Sequence, residues 1–319
     1  MTTSSGSEPS AKGSGDGSAA RPGSDRVVGL GQLSVEQLGV GPRSGETIIE
    51  LSTFSIQAGG AVGTALATVC ALGGQARYFG RLSDDEFGSI ILRGLKAFGV
   101  DVSQVLIEPG KVSPTSFILV DERTGRRTVR FTRGSTTLLE PGEIPRNLLD
   151  EASLLLVDGR NPSVHIAAAE RAKALGVTVL LDARRLGAGM GELLDLSDIV
   201  IGNERFAAEF SHSSDVKRSL MELTRMGPRI AVITQGEEGA IGLDNDTLVR
   251  QPALTGDVYD TTWASDVFRG AFIYGYLQGW PLQRSLPFAN AAAGLNCRHL
   301  GGVGGLPSLA AVLQAAELT

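Results

Sequence analysis

The stretch Asp260-Thr261-Thr262-Trp263-Ala264-Ser265-Asp266-Val267-Phe268-Arg269-Gly270-Ala271-Phe272 joins a polar turn to an amphipathic helix. Val267, Phe268, Ala271 and Phe272 recur at helical spacing, and Gly279-Trp280-Pro281 marks where the helix ends. A helix start gathers unpaired backbone N–H groups and the positive end of the dipole, so a phosphate can settle there. Asp266, in the first turn, is placed to take a proton from a nucleophile. An anion site beside a base is the chemistry of group transfer.

Three further clusters carry chemical possibilities. Ala58-Gly59-Gly60-Ala61-Val62-Gly63-Thr64 places paired glycines at a strand-to-helix junction, which lets a ligand approach the backbone. A tight helix-packing turn explains the same glycines equally well. Thr234-Gln235-Gly236-Glu237-Glu238-Gly239-Ala240 closes an apolar strand with polar and glycine residues. Gly29-Leu30-Gly31-Gln32-Leu33-Ser34 approaches a dinucleotide fingerprint, but Ser34 replaces the third glycine and residues 39–44 read as loop and then extended chain, not helix. This argues against NAD. Cys70 and Cys297 sit in apolar surroundings and read as reduced core thiols, and His165, His212 and His299 are scattered, which argues against zinc.

The elements that must position these groups alternate strand and helix. The order begins with a strand at 26–31, followed by a half-exposed strand at 47–56, a small-residue helix at 65–72 and a strand at 75–79. A polar loop at 80–88, with Ser83 and Asp84 as candidate caps, opens a helix that ends near 98, and a basic hairpin spans 115–121 and 127–132. The arginines of that hairpin, Arg123, Arg126, Arg127, Arg130 and Arg133, read as a solvated edge that discourages strand pairing more than as a phosphate clamp. Strands at 154–157, 177–181, 199–201 and 230–233 alternate with helices at 162–175, 204–210 and 215–226, and an alanine-rich helix covers 286–300. Continuous apolar strands separated by helices imply a parallel sheet covered on both faces, with ligands at the carboxyl ends of its strands.

Composition narrows the partners. The chain has 319 residues, a formal charge of -6 and 42% hydrophobic residues. That is long enough for a large α/β domain. It lacks the basic surplus expected of a protein that works on nucleic acid or anionic membrane, so small soluble partners are favoured. No apolar run approaches the roughly 20 residues of a membrane span, and no signal pattern opens the chain, so the cytoplasm is expected. Residues 1–25, rich in Ser, Gly, Ala and Pro, are expected to be a disordered tail.

Taken together and in order, these motifs resemble the ribokinase/PfkB family of sugar kinases, over essentially Arg26 to the C-terminus. Gly59-Gly60 resembles its first signature, followed by Ala71-Leu72-Gly73-Gly74, by residues 80–88 and by Gly99-Val100-Asp101. Residues 234–240 resemble its nucleotide-binding strand end, residues 260–272 its second signature, and residues 290–307 the region flanking adenine. The resemblance implies a three-layer α/β sandwich with a mostly parallel central sheet, carried by residues 26–319, and a small β lid from segments near 37–57 and 112–133. It implies transfer of the γ-phosphoryl of ATP to a sugar hydroxyl with Mg2+, and possible homodimers through the lid. On that pattern Asp266 is the base, and Trp263, Ala264 and Ser265 supply the anion hole. Asn203, Thr234, Gly236, Gly239 and Asn290 serve the nucleotide, and Glu36, Gly59, Gly60 and Thr64 serve the sugar. Asp260 and Thr262 match a monovalent cation site, for K+, found in some relatives.

Departures from the pattern carry information too. Trp263-Ala264-Ser265-Asp266 replaces the usual Gly-Ala-Gly-Asp. A position that required positive φ would cost a non-glycine about 1–2 kcal/mol, and an indole there could obstruct the phosphate. Ala61 and Thr64 stand where sugar-binding asparagines are common, Phe206 stands where a glutamate that orders magnesium is frequent, and Glu36 is one methylene longer than the usual aspartate. Two readings follow. One is a sugar kinase with an altered acceptor pocket. The other is a catalytically impaired relative that binds a sugar, a nucleotide or a protein.

Overall fold

The strands of the main sheet are short runs of branched aliphatic residues, and successive side chains of one strand leave on opposite faces. In the computed structural model, which describes residues 26–42 and 48–318, that alternation builds two separate cores. The expected tail at 1–25, and part of the loop expected at 39–44, lie outside the described residues. The first elements are β1 (Arg26–Leu30), β2 (Ser34–Gly41), β3 (Thr53–Gly59), α1 (Ala61–Ala71), β4 (Gln75–Phe79), β5 (Arg81–Ser83) and α2 (Glu86–Ala97). They are followed by β6 (Leu106–Glu108), β7 (Thr115–Asp121), β8 (Arg127–Thr132), β9 (Ala152–Val157), α3 (Pro162–Leu175), β10 (Thr178–Ala183) and α4 (Met190–Leu196). The rest comprises β11 (Ile199–Asn203), α5 (Glu204–Ser211), α6 (Val216–Arg225), β12 (Ile230–Thr234), β13 (Ala240–Asp244), β14 (Thr247–Gln251), α7 (Ala264–Leu277), α8 (Leu282–Asn296) and α9 (Leu309–Ala315).

The eight-stranded sheet runs β14-β13-β12-β11-β10-β9-β1-β4 and is parallel except for the β12-β13 and β13-β14 pairs. Leu154 and Leu156 of β9 face one core with Val267, Phe268 and Phe272 of α7 and Val62, Leu66 and Val69 of α1. Leu155 and Val157 face the other core with Val164, Ala168 and Ala172 of α3 and Leu220 and Leu223 of α6. This is the mostly parallel three-layer α/β arrangement expected from the sequence.

A second sheet, β3-β2-β7-β8, stands over the carboxyl-end side of the first. Its β2-β7 pair is parallel and its other pairs are antiparallel. One face carries Leu38, Val40, Ile118 and Val120, which are buried with Trp263 and Leu300. Gln57 of β3 ties the sheet to the loop after α8, donating to the Leu300 carbonyl at 3.0 Å and accepting from Gly304 N–H at 3.2 Å.

Several sequence expectations need correcting. Residues 34–41 form a strand, so residues 39–41, expected as the start of a loop at 39–44, are strand; Leu51 packs over Gly39 where a side chain would collide. The extended segment expected at 47–56 starts as strand only at Thr53. Asp85, not Ser83 or Asp84, caps α2, accepting from Gly88 N–H at 2.7 Å. Asp84 instead accepts from Gly110 N–H at 2.9 Å.

Candidate active site

α7 begins at Ala264, with Trp263 in the cap position. Trp263 has φ of −120°, and no residue from Trp263 to Asp266 is among the described non-glycines with positive φ. The indole therefore carries no left-handed backbone strain. Its carbonyl accepts from Asp266 N–H at 2.8 Å and Val267 N–H at 3.0 Å. Asp260 braces the preceding turn: one carboxylate oxygen accepts from the N–H of Thr262 at 2.8 Å and from its hydroxyl, the other from Gly301 N–H at 2.9 Å. The Asp260 carboxylate, expected with Thr262 to serve a monovalent cation, thus accepts three hydrogen bonds within the chain.

Asp266 is fully buried within a charge cluster that the sequence reading did not anticipate. Arg184, on the segment after β10, ion-pairs with Asp266 Oδ1 and donates its Nε to Asp182 Oδ2 at 2.9 Å. Arg269, one helical turn after Asp266, lies 3.5 Å from Asp266 Oδ1 and donates to the Ser265 carbonyl at 2.7 Å. Its Nε is 2.7 Å from Asp182 Oδ1, an ion-pair contact whose N–H direction does not complete a hydrogen bond. Burial pushes the Arg269 guanidinium down to about 10, against the pull of Asp182 and with added repulsion from Arg184. Two acids and two arginines thus form a largely buried ion-pair cluster, in which breaking one pair is costly. Asp182 was visible as the polar end of a strand; nothing in the sequence marked Arg184 as its partner.

Glu36, Gly59, Gly60, Thr64 and Trp263 converge beside this cluster. Glu36 is fully buried and accepts from Gly60 N–H at 2.8 Å. Gly59 passes so close that a Cβ there would fall on the Glu36 carboxyl, and a Cβ at Gly60, whose φ is 92°, would meet the Gln32 carbonyl at 2.7 Å. Both glycines are therefore required by close approach. Burial raises the Glu36 pKa well above the usual carboxylate range; the Gly60 N–H and the Trp263 indole N–H oppose the shift, and the Asp260 charge adds to it. The indole approaches Glu36 without completing a well-formed hydrogen bond. Glu36 Oε2, Thr64 Oγ1, Trp263 Nε1 and Asp266 Oδ2 are all buried with no hydrogen-bond partner.

On the other side of the α7 start lies a cavity of about 680 Å3. Thr234, Gly236, Gly239 and Asn290 line it, as do Ala264 and Ser265. Gly236 and Gly239 have φ of 57° and 92°, so the turn after β12 needs both. Asn290 donates to the Gln251 and Pro252 carbonyls at 2.9 and 3.0 Å, which fixes the wall formed by the segment after β14. Arg127 also lines the cavity and donates to Thr261 Oγ1 at 2.8 Å. Asn203 does not line it: its side chain caps α5, accepting from Phe206 N–H at 2.8 Å. Among the described residues no cluster of three His, Cys, Asp or Glu could hold a metal.

The sequence profile of the pfkB family of carbohydrate kinases matches residues 25–309. The chain belongs to the PfkB family. Fructokinase-2 of Oryza sativa subsp. japonica is 24% identical, over 93% of this chain and 96% of its own length. The ribokinase of Arabidopsis thaliana, solved with ribose and ATP, superposes with a TM-score of 0.78 at 22% identity, covering 93% of this chain and 100% of that one. The ribokinase of Thermotoga maritima gives a TM-score of 0.77 at 19% identity, covering 92% and 99%. These structural likenesses establish a ribokinase-like fold for this PfkB protein.

Proposed function

We propose that this PfkB protein transfers the γ-phosphoryl of ATP to a hydroxyl of a sugar or sugar-like acceptor. The observation that carries the reading is the group of four buried, unpartnered polar atoms, Glu36 Oε2, Thr64 Oγ1, Trp263 Nε1 and Asp266 Oδ2. An unpaired buried polar atom costs about 1–3 kcal/mol, and a polyol supplies the donors and acceptors that this group lacks. Asp266 takes the proton of the attacking hydroxyl, and the N-terminal turn of α7 receives the transferring charge. The nucleotide occupies the cavity of about 680 Å3, its phosphates directed at Ala264 and Ser265. Glu237 and Asp257 line the same cavity, which suits Mg2+, an ion that leans on phosphates and water with only one or two carboxylates. When bound, magnesium would offset the phosphate charge. The small sheet acts as the lid, with Trp263 packed against its inner face.

A second reading has its own observation. The Trp263 indole is buried against Leu38, Val40, Ile118 and Val120, and Asp266 is held by two guanidiniums. Together these favour a relative that binds nucleotide without turnover. ATP consumption measured against ketohexoses, pentoses, nucleosides and sugar acids separates the two. Turnover by the wild type that vanishes in Asp266→Asn supports the kinase. A silent wild type awakened by Trp263→Gly with Ser265→Gly supports the impaired relative, and absence of ATP binding by calorimetry refutes both.

The outer face of the lid exposes Leu51, Phe54, Ile56, Phe117 and Leu119. Phe54 and Ile56 of β3 and Phe117 and Leu119 of β7 flank β2 on one face, with Leu51 over Gly39 between them, and form an apolar patch of the kind that marks an interface. We propose that a second copy of the chain covers it.

A further inference from the structure

Arg269 lies on the buried side of α7, its side chain 1% exposed, among Val267, Phe268, Ala271 and Phe272 of the apolar core. A buried guanidinium persists only where acids and carbonyls receive it. Its partners sit at the start of α7 and the end of β10: the Ser265 carbonyl at 2.7 Å, Asp182 Oδ1 at 2.7 Å and Asp266 Oδ1 at 3.5 Å. Arg184 repeats the pattern from the other side, reaching Asp182 Oδ2 and Asp266 Oδ1. Each arginine therefore touches both acids, and the four side chains close a ring of zero formal charge.

The ring is not symmetric. Asp182 meets one arginine with each oxygen, whereas both contacts to Asp266 fall on Oδ1 and leave Oδ2 buried with no hydrogen-bond partner. The elements packed around Asp266 add few other charges. α1 carries no charged residue, only the Cys70 thiol in its last turn, and the charged residue of α8 is Arg284, which stacks on Trp280 beyond the far end of α7. Glu36 of β2 and Asp260 of the preceding turn are the nearby acids, and Arg127 of β8 and Arg160 before α3 lie within electrostatic reach of Arg184. Asp182 is thus the acid that balances the guanidiniums held against Asp266.

We propose that Arg269 and Asp182 are positioning residues for Asp266: Arg269 anchors Oδ1 and so presents Oδ2 to the acceptor hydroxyl, and Asp182 offsets positive charge that would otherwise weaken the base. The role of Oδ2 as proton acceptor rests on the kinase reading; the anchoring and the charge balance do not. An opposite charge within about 4–6 Å displaces a carboxylate's titration by about 1–3 pH units. Removing Arg269 therefore raises the pH at which Asp266 titrates, and removing the charge of Asp182 lowers it. A staple that only tied α7 to β10 gives no such opposition of sign.

The test is a carbon NMR titration of the full chain labelled at its aspartate carboxyls, with Asp266 assigned by the resonance missing from Asp266→Asn. Its midpoint is expected to rise in Arg269→Met, to stay near wild type in Arg269→Lys and not to rise in Asp182→Asn. The double variant Asp182→Asn with Arg269→Met restores zero formal charge, so its midpoint should return toward wild type, and it keeps the test open where a single variant fails to fold. With an acceptor that is turned over, the acidic limb of kcat/KM should follow the same order, and Arg269→Met should lower kcat about tenfold or more while KM changes less. An unmoved midpoint in Arg269→Met, a rise in both single variants, or a double variant that departs from wild type by more than about one pH unit would each overturn the proposal. A wild type that turns over no ATP would end the kinase reading and the role of Oδ2 with it, while the carboxyl titration still decides the anchoring.

Discussion

Asp266, the proposed base, has one carboxylate oxygen held by two arginines and the other buried without a partner. Substituting it with asparagine keeps the shape and removes the proton acceptor, so turnover should fall about 10²–10⁴-fold; a steady-state ATP assay in which Asp266→Asn retained wild-type rate would end its assignment as base. Glu36 makes a separate prediction at the same scale. Its folded pKa is raised above the unfolded value of 4.5, so the folded chain keeps a proton that the unfolded chain releases. The sign follows from linkage: the folded state binds more protons, and stability is lost as pH rises above that unfolded value. Glu36→Gln removes this loss. Its urea midpoint relative to wild type should therefore climb as pH rises above 4.5, and a difference that stays flat would contradict a proton on Glu36. Most of these site residues were legible because they stand in motifs. Arg184, which touches Asp266 from a segment 82 residues away, was not, since a lone arginine after a strand carries no pattern.

The helices that position the site depend on close approach. α1 packs against α7, and Gly270 faces the Ala65 carbonyl and the Thr68 side chain, where a Cβ has no room. Gly270→Leu should cost at least the 1–3 kcal/mol typical of overpacking, about, and lower the urea midpoint accordingly; unchanged stability would show that the two helices can separate freely. The sequence was clearest where caps and periodicity agreed. α3 starts at Pro162 and stops at Gly176, which adopts φ of 69° after the last turn, so both ends were marked. It was least clear where glycines served packing, as in β2. α4, β13, β14 and α9 also escaped, because each is short and takes its stability from neighbours more than from its own pattern.

For the whole molecule, the proposed dimer rests on the apolar patch of the outer sheet face. Light scattering should give twice the monomer mass for the wild type and the monomer mass for Phe54→Lys with Phe117→Lys; a monomeric wild type at micromolar concentration would refute the dimer. The fold also has an order of assembly written into it. β2 and β7 pair in parallel across 80 residues, from Val35 to Thr115, and Trp263 packs on them from a further 148 residues along the chain. Contacts of such long range form late, after their loop entropy has been met by local structure. A ribosome that has not yet released the segment around Trp263 therefore holds a chain whose inner sheet face is still bare. Synthesis of this protein should depend on chaperone protection until Trp263 and then Leu300 have emerged.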